Sequence, residues 1–220
     1  MDIKPELSYK PKHIKAAAAT GNKNKIREFK EIFEELGISA ELYSAKQLGM
    51  DSFPPENADT FKGNASIKAE ALYNYLLNNG YNDFAVIADD SGITVDALGG
   101  APGVYSARFA GENADDEENL QKLLCELEKT GDKERKAQYV CIIAAITAKG
   151  ERLFAEGRMD GRIVGEKAGE GGFGYDPIFF TPVYNLTVAQ LTPEQKNAIS
   201  HRGSAVREIC AKLALAEGLN

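Results

Sequence analysis

Two adjacent carboxylates follow a short apolar run near the middle of the chain. Residues 84–88 read Phe-Ala-Val-Ile-Ala, and Asp89, Asp90, Ser91 and Gly92 come directly after them. A carboxylate at the end of a buried strand is a usual position for a metal ligand or a general base in α/β proteins. An acidic turn that caps the strand is the alternative, since Asp, Ser and Gly are turn formers.

The two carboxylates also set a geometric condition. Side chains of neighbouring strand residues point to opposite faces, so Asp89 and Asp90 can face one ligand only if the chain bends. Gly92 permits such a bend. In a straight strand, one of the two carboxylates turns away from the ligand.

A second segment has the composition of an anion-binding turn. Residues 13–19 predict a buried strand, residues 20–25 read Thr-Gly-Asn-Lys-Asn-Lys, and residues 26–36 carry apolar side chains at helical spacing. A turn between a strand and a helix presents free backbone N–H groups to an anion, and the lysines add positive charge. The spacing of a Walker A loop is absent, and a solvated basic first turn is the alternative.

The remaining pattern alternates strands and helices, which predicts an α/β fold. Further strands are predicted near residues 39–43, 93–98, 136–148, 151–164 and 177–181, with the strand at 93–98 forming a hairpin after the acidic pair. Helices are predicted at 60–79, at 113–129 and after Ser200, which is a plausible N-cap.

Three single residues have a structural and a functional interpretation. Phe173 and Tyr175 lie in a glycine-dense loop, where they either pack onto the core or stack on a flat ligand. Lys68 lies off the apolar stripe of its predicted helix, so a solvated helix face is the alternative to a ligand contact.

Composition restricts the class of protein. The chain has 220 residues, 43% of them hydrophobic and 27% charged, which is ordinary for a globular protein. A net charge of −7 argues against a polynucleotide partner but leaves room for a single nucleotide. No apolar run is long enough to span a membrane, and residues 1–12 read as a flexible extension without the apolar core of a signal peptide.

The cysteines indicate a reducing compartment. Cys125, Cys141 and Cys210 are odd in number and show no Cys-x-x-Cys spacing. We interpret them as reduced, small core residues of a cytoplasmic protein.

Four segments, in this order, resemble motifs of the inosine triphosphate pyrophosphatase family, whose members hydrolyse non-standard purine nucleoside triphosphates to the monophosphate and pyrophosphate. They are residues 20–25, residues 88–108 with Asp-Asp-Ser-Gly, residues 171–179 with Gly-Gly-Phe-Gly-Tyr-Asp-Pro, and residues 194–203 with Lys-Asn-Ala-Ile-Ser-His-Arg-Gly. The resemblance extends over about residues 13–215. It departs from the family pattern at Gln195 and at Gly63, where the family usually has acidic residues.

The resemblance implies a fold and partners. The fold is an elongated mixed α/β structure with a long central sheet, two lobes and a substrate cleft between them, formed here by a single domain over residues 13–220. A purine nucleoside triphosphate is the implied substrate, Mg²⁺ the implied metal with Mn²⁺ as the alternative, and a homodimer the implied assembly.

The resemblance also implies roles for individual residues. Asp90 corresponds to the catalytic carboxylate and a metal ligand, and Glu56 to the second metal ligand. His201 and Arg202 correspond to groups that donate to the six-oxygen of the base. The implied substrate contacts are Thr20, Gly21, Asn22, Lys23, Asn24, Lys25, Lys68, Ser91, Phe173, Gly174, Tyr175, Asp176, Lys196, His201 and Arg202.

Two alternatives to this activity remain. A nucleotide-binding sensor on the same fold could have lost catalysis, although the presence of Asp90, Glu56, Lys25 and Lys68 favours an enzyme. A triphosphatase that releases orthophosphate from standard nucleotides is the other alternative.

Overall fold

The computed structural model describes residues 13–21 and 23–218, so the predicted extension of residues 1–12 lies outside the described residues. The strands are β1 (Ile14–Ala18), β2 (Ala40–Ser44), β3 (Phe84–Val95), β4 (Lys136–Ile146), β5 (Arg152–Ile163), β6 (Phe179–Thr181) and β7 (Leu186–Thr187). The α-helices are α1 (Lys23–Glu35), α2 (Phe61–Asn78), α3 (Asp116–Thr130), α4 (Pro193–Ile199) and α5 (His201–Ala216). None of these helices combines the length and apolar character needed to cross a bilayer.

One mixed sheet contains the seven described strands, in the order β2-β1-β3-β4-β5-β6-β7. Strand β1 pairs in parallel with β2 and β3, whereas β3, β4, β5, β6 and β7 pair successively in antiparallel fashion. The predicted mixed α/β class is therefore confirmed. The sequence predicted most of these elements, but not the short strand β7 or the separate helix α4.

Strand β3 extends well beyond its parallel neighbour. It pairs with β1 only over Phe84 to Ile87, and the N–H of Ala19 donates to the carbonyl of Ile87 at 2.8 Å as the last contact. Its pairing with β4 continues to Val95. Past Ile87, no strand of the described sheet therefore covers the edge of β3 on the side of β1, and the acidic pair lies on this uncovered edge.

The predicted hairpin at residues 93–98 is wrong. Strand β3 runs unbroken to Val95, and a 3₁₀ turn over Asp96–Leu98 follows it. Alternating apolar residues look the same in one long strand and in two short ones, so the pattern could not locate the turn. Gly92 serves close packing instead of a bend, because a Cβ atom there would lie 2.6 Å from the carbonyl oxygen of Gly103.

The two faces of the sheet are covered by different helices. On one face, Ala85 and Ile87 of β3 pack in a cluster with side chains of α1 and α5. On the other face, Val86 and Ala88 pack in a cluster with side chains of α2. A third cluster joins α3 to β4 and β5. Because side chains alternate, Asp89 lies on the same face as Ala85 and Ile87, toward α1 and α5, and Asp90 lies on the face toward α2.

The cysteine prediction is confirmed at two positions and wrong at one. Cys141 and Cys210 are buried free thiols, as expected. Cys125 is a free but exposed thiol, because α3 buries only one stripe of side chains and Cys125 lies off it.

Helix α5 lies directly against β5 at Gly157. A Cβ atom at this position would overlap the backbone oxygen of His201 and lie 2.8 Å from the backbone nitrogen of Ala205. The predicted N-cap is confirmed, since the hydroxyl of Ser200 accepts from the N–H of Gly203 at 2.9 Å. The absence of a side chain at Gly157 thus places the first turn of α5 against the sheet.

Substitution of Gly157 by Ala should therefore destabilise the fold. The added methyl group forces backbone to move apart, and overpacking of this kind costs about 1–3 kcal/mol. The free energy of unfolding in urea measures the effect. Gly165→Ala is the matched control, because a Cβ atom there would lie 3.5 Å from Nη1 of Arg135, an ordinary contact. Equal stability of the two variants would contradict this packing argument.

Candidate active site

A cavity of about 140 Å³ opens between β3, the glycine-dense loop and the junction of α4 with α5. Its wall includes the side chains of Ser91, Tyr139, Phe173, Asp176, Lys196, His201 and Arg202. All of them except Tyr139 were predicted from the sequence. The cavity therefore brings together segments that are far apart in the chain.

Asp176 organises one wall of this cavity. Its Oδ2 accepts from the N–H of Phe173 at 3.0 Å and from Nζ of Lys196 at 2.8 Å. Its Oδ1 accepts from the hydroxyl of Tyr139 at 3.0 Å. The buried carboxylate thus joins the glycine-dense loop, α4 and β4, and it holds the loop in place.

The two aromatic residues of the loop have different positions. Tyr175 packs onto the core and donates from its hydroxyl to the backbone oxygen of Ser106 at 2.8 Å. Phe173 is 46% exposed, with Nζ of Lys196 at 4.7 Å from its ring centroid and Cζ of Arg202 at 6.0 Å. Phe173 is therefore the aromatic residue with a ring available to stack on a ligand. The N–H of Gly174, between them, donates to Oδ2 of Asp116 at 2.8 Å.

His201 forms part of the opposite wall. Its ring stacks on Tyr139 with centroids 4.8 Å apart and planes 10° apart. Burial lowers the pKa of His201 well below its ordinary value, and the charges of Arg202 and Lys196 lower it further. The imidazole is therefore neutral near pH 7. Its Nδ1 is buried and has no hydrogen-bond partner among the described residues.

Arg202 is fixed by groups from two other elements. Its Nη1 donates to Glu28 of α1 and its Nη2 to the hydroxyl of Ser91, each at 3.2 Å. Its Nε lies 3.6 Å from Oδ2 of Asp89, too far for a hydrogen bond. Burial would lower the pKa of Arg202, but the carboxylates of Asp89 and Glu28 outweigh burial and raise it.

Asp89 is the buried counter-charge of two predicted substrate contacts. Its side chain is 1% exposed, and its Oδ2 accepts from Nζ of Lys25 at 2.7 Å. Burial raises its pKa, but the charges of Lys25 and Arg202 outweigh burial and lower the pKa to about 2. Asp89 therefore points to the opposite face of the sheet from Asp90, as strand alternation predicts, and it still contacts Lys25 and Arg202 of the site.

Asp90 lies on the face of β3 that α2 covers. Its Oδ2 accepts from Nδ2 of Asn64 at 3.1 Å, and its Oδ1 accepts from the N–H of Ser91 at 3.0 Å. Burial raises the pKa of Asp90, and although Lys68 and Asn64 lower it, the negative charges of Glu56 and Asp89 add to the increase. This carboxylate is therefore more basic than an exposed one.

Lys68 joins the two predicted metal ligands. Its Nζ donates to Oε2 of Glu56 at 2.7 Å and lies 3.9 Å from Oδ1 of Asp90. The lysine is buried, so its interpretation as a solvated residue of the helix surface is wrong. Both carboxylates converge on one positive charge.

This donor set fits a divalent cation that prefers oxygen ligands. Mg²⁺ is usually held by one or two protein carboxylates together with substrate phosphates and water. The described residues contain no cluster of three or more His, Cys, Asp and Glu side chains that could hold a metal, so Glu56 and Asp90 would be the two protein ligands of such a cation. At Gly63, where the motif usually has a glutamate, a Cβ atom would lie 2.5 Å from Cβ of Ala58.

The predicted phosphate turn lies beside this edge of β3. Thr20 and Gly21 follow β1, and α1 begins at Lys23, so the predicted strand and helix are confirmed, and the helix begins three residues earlier than expected. Asn22 and the side chains of Lys23 and Asn24 lie outside the described residues. Lys25 extends from the first turn of α1 to Asp89.

Three residues of the site were not predicted. Asn64 precedes Lys68 by four positions on α2, so helical spacing from Lys68 could have indicated it. Glu28 follows Lys25 by three positions on α1 and is similarly placed. Tyr139 enters through the pairing of β4 with β3 opposite Ile93, a register that local sequence does not reveal.

Comparison with known proteins identifies close relatives. The sequence model of the Ham1 family matches residues 16–212. A protein of Clostridium perfringens named dITP/XTP pyrophosphatase is 47% identical over 191 residues, which are 87% of this chain and 93% of that protein. The structure of a HAM1 protein from Coxiella burnetii has a TM-score of 0.81 at 36% identity, with 92% of this chain and 99% of that chain covered. The Staphylococcus aureus Ham1 protein has a TM-score of 0.80 at 42% identity, with the same coverage.

The neutral state of His201 predicts how stability depends on pH. Its folded pKa is below the ordinary 6.5, so the unfolded chain binds the proton more readily and stability is lost as the pH falls below about 6.5. Between pH ~7.5 and ~5.5, the stability of the wild type relative to His201→Gln should fall by about 1.4 kcal/mol. Urea unfolding of both proteins at the two pH values tests this. A difference that does not change with pH would show that folding leaves the pKa of His201 at its ordinary value.

Proposed function

The chain belongs to the Ham1 family, and we propose that it hydrolyses non-standard purine nucleoside triphosphates, dITP and XTP among them, to the monophosphate and pyrophosphate. One observation carries this proposal beyond the names of the relatives. At the uncovered edge of β3, Lys68 lies between the carboxylates of Glu56 and Asp90 on one face of the sheet. On the other face, Asp89 lies between the cations of Lys25 and Arg202. Hydrolysis of a triphosphate requires both a metal-binding group and cations for the phosphates.

The base is bound in the cavity between the loop and α5. Phe173 stacks on the purine, and stacking of this kind contributes about 1–3 kcal/mol whatever the base. The N–H of neutral His201 and the guanidinium of Arg202 donate to the six-oxygen of the base. Because adenine carries an amino group there, these buried donors would be left without an acceptor, which disfavours adenosine triphosphate.

The phosphates are bound at the turn of residues 20–25 and the adjoining lysines. The N-terminus of α1 offers backbone N–H groups to an anion, and Lys25 adds a charge. Lys68 approaches from the other face of β3. Asp89 is not itself a phosphate ligand; it fixes Lys25 and balances its charge, so the lysine is preorganised before the substrate arrives.

Glu56 and Asp90 would hold Mg²⁺, or Mn²⁺ in its place. The bound metal would neutralise charge that develops on the phosphate oxygens. The two carboxylates supply hard oxygen donors, and the convergence of both on the ammonium of Lys68 supports a cation site between them.

Asp90 acts as the general base. Its carboxylate takes the proton of the water that attacks phosphorus, while the α–β phosphoanhydride bond breaks and pyrophosphate leaves. Burial raises its pKa, which strengthens it as a base, and the bonds from Asn64 and from the N–H of Ser91 fix its orientation. An ionised, positioned carboxylate typically contributes about 10²–10⁴-fold to the rate.

A catalytically inactive sensor has no support. The Clostridium perfringens relative carries the name of an enzyme, and this chain has the carboxylate of Asp90 together with Lys25 and Lys68. The homodimer remains a prediction from the motif resemblance, and the cytoplasmic location remains a prediction from the cysteines.

The decisive assay supplies dITP, XTP, ITP, ATP and GTP with Mg²⁺ and measures pyrophosphate and orthophosphate separately. We expect pyrophosphate from dITP, XTP and ITP, and turnover of ATP slower by at least about 10²-fold, because the groups proposed to contact the six-position of the base, His201 and Arg202, are donors. Asp90→Asn, purified in the same way, controls for contaminating phosphatases. Orthophosphate as the main product, or equal rates with ATP, would refute the proposed function.

A further inference from the structure

Asn64 connects the two elements that carry the proposed metal ligands. It lies in the first turn of α2 and is 1% exposed. Its Oδ1 accepts from the N–H of Ala58 at 2.9 Å, and its Nδ2 donates to Oδ2 of Asp90 at 3.1 Å. The buried amide of Asn64 therefore bonds both to strand β3 and to the segment of residues 51–58, which contains Glu56.

The segment of Glu56 depends on such bonds for its position. It has no regular secondary structure, since residues 51–58 belong to neither a helix nor a strand. Besides the bond from Ala58 to Asn64, the backbone oxygen of Glu56 accepts from Nη2 of Arg108 at 3.3 Å, and its carboxylate accepts from Lys68. Asn64 and Lys68 both reach Asp90 as well, but Asn64 does so by a hydrogen bond of 3.1 Å, whereas Nζ of Lys68 lies 3.9 Å away.

An amide has the chemistry that this position requires. The backbone N–H of Ala58 needs an acceptor and the carboxylate of Asp90 needs a donor, and Asn offers one of each. A leucine, which has the same branching at Cγ, offers neither, and an aspartate would place a further negative charge beside Asp90. The two neighbours also define the orientation of the amide.

Gly63, the residue before Asn64, stands where the family motif usually has a glutamate. Metal binding in this chain therefore depends more strongly on the spacing of Glu56 and Asp90. Gly63 contributes no third carboxylate, and Ala58 packs into the space where its side chain would begin. The backbone N–H of the same Ala58 bonds to Asn64. The proposed site therefore has two carboxylate ligands, and the hydrogen bonds of Asn64 tie the segment of one to the side chain of the other.

We propose that Asn64 is a positioning residue that sets the separation of Glu56 and Asp90 and thereby the affinity of this pair for a divalent cation. The inference rests on the proposed function, in which these two carboxylates are the metal ligands. Removal of a residue that orients metal ligands typically weakens metal binding by about 10–100-fold.

The test compares Asn64→Leu, which keeps the branched shape of the side chain, and Asn64→Ala with the wild type, with Glu56→Gln and with Asn74→Ala. Asn74 is an exposed asparagine of the same helix and serves as the matched control. Electron paramagnetic resonance measures Mn²⁺ binding without nucleotide, and steady-state kinetics measure the Mg²⁺ concentration for half-maximal rate. Circular dichroism confirms folding, and Asn64→Ala replaces Asn64→Leu if the latter does not fold.

We expect both Asn64 variants to bind Mn²⁺ about ten-fold more weakly and to need correspondingly more Mg²⁺. The KM for dITP at saturating Mg²⁺ should stay within about two-fold, since the base pocket is untouched, and Asn74→Ala should match the wild type. Unchanged Mn²⁺ affinity in the Asn64 variants, with weakened binding in Glu56→Gln, would overturn this inference alone. If Glu56→Gln binds Mn²⁺ as tightly as the wild type does, the proposed metal site is wrong, and this inference is wrong with it.

Discussion

The alternation of side chains along the uncovered edge of β3 is the constraint on which the rest of the site depends. Because β1 ends beside Ile87, the next residues of β3 lie at an edge that a ligand can approach. Asp89 and Asp90 point to opposite faces of the sheet. Asp89 is paired with Lys25 of α1 and Arg202 of α5, whereas Asp90 lies 3.9 Å from Lys68 of α2. Removing one partner of a buried pair such as Lys25 and Asp89 typically costs about 3–5 kcal/mol, so the face of α1 and α5 is strongly held.

Each helix brings a set of groups to its own face of this edge. Helix α2 supplies Asn64 and Lys68, four positions apart and hence on one side of the helix. Helix α5 approaches β5 at Gly157 closely enough to bring Arg202 against Asp89. The metal-binding and the nucleotide-binding parts of the proposed site are therefore built on opposite faces of one strand and meet only at its edge.

The sequence was informative where function depends on contiguous residues. The turn at residues 20–25, the acidic pair, the exposed Phe173 and the cap at Ser200 could all be predicted. The predictions were wrong where long-range packing decides, as in the hairpin placed after Gly92, which instead accommodates Ser106. Burial of Lys68, and the contact of Asp89 with two cations, depend on pairings between distant segments that no local pattern records.

The separate roles of the two faces can be tested by comparing kcat and KM of Asp89→Asn and Asp90→Asn at saturating Mg²⁺. The account predicts that folded Asp90→Asn loses about 10²–10⁴-fold in kcat with little change in KM for dITP, because the general base is removed. Asp89→Asn should instead raise KM and keep kcat within about ten-fold, because Lys25 and Arg202 lose their counter-charge. A larger loss of kcat in Asp89→Asn than in Asp90→Asn, or the same profile in both, would contradict it.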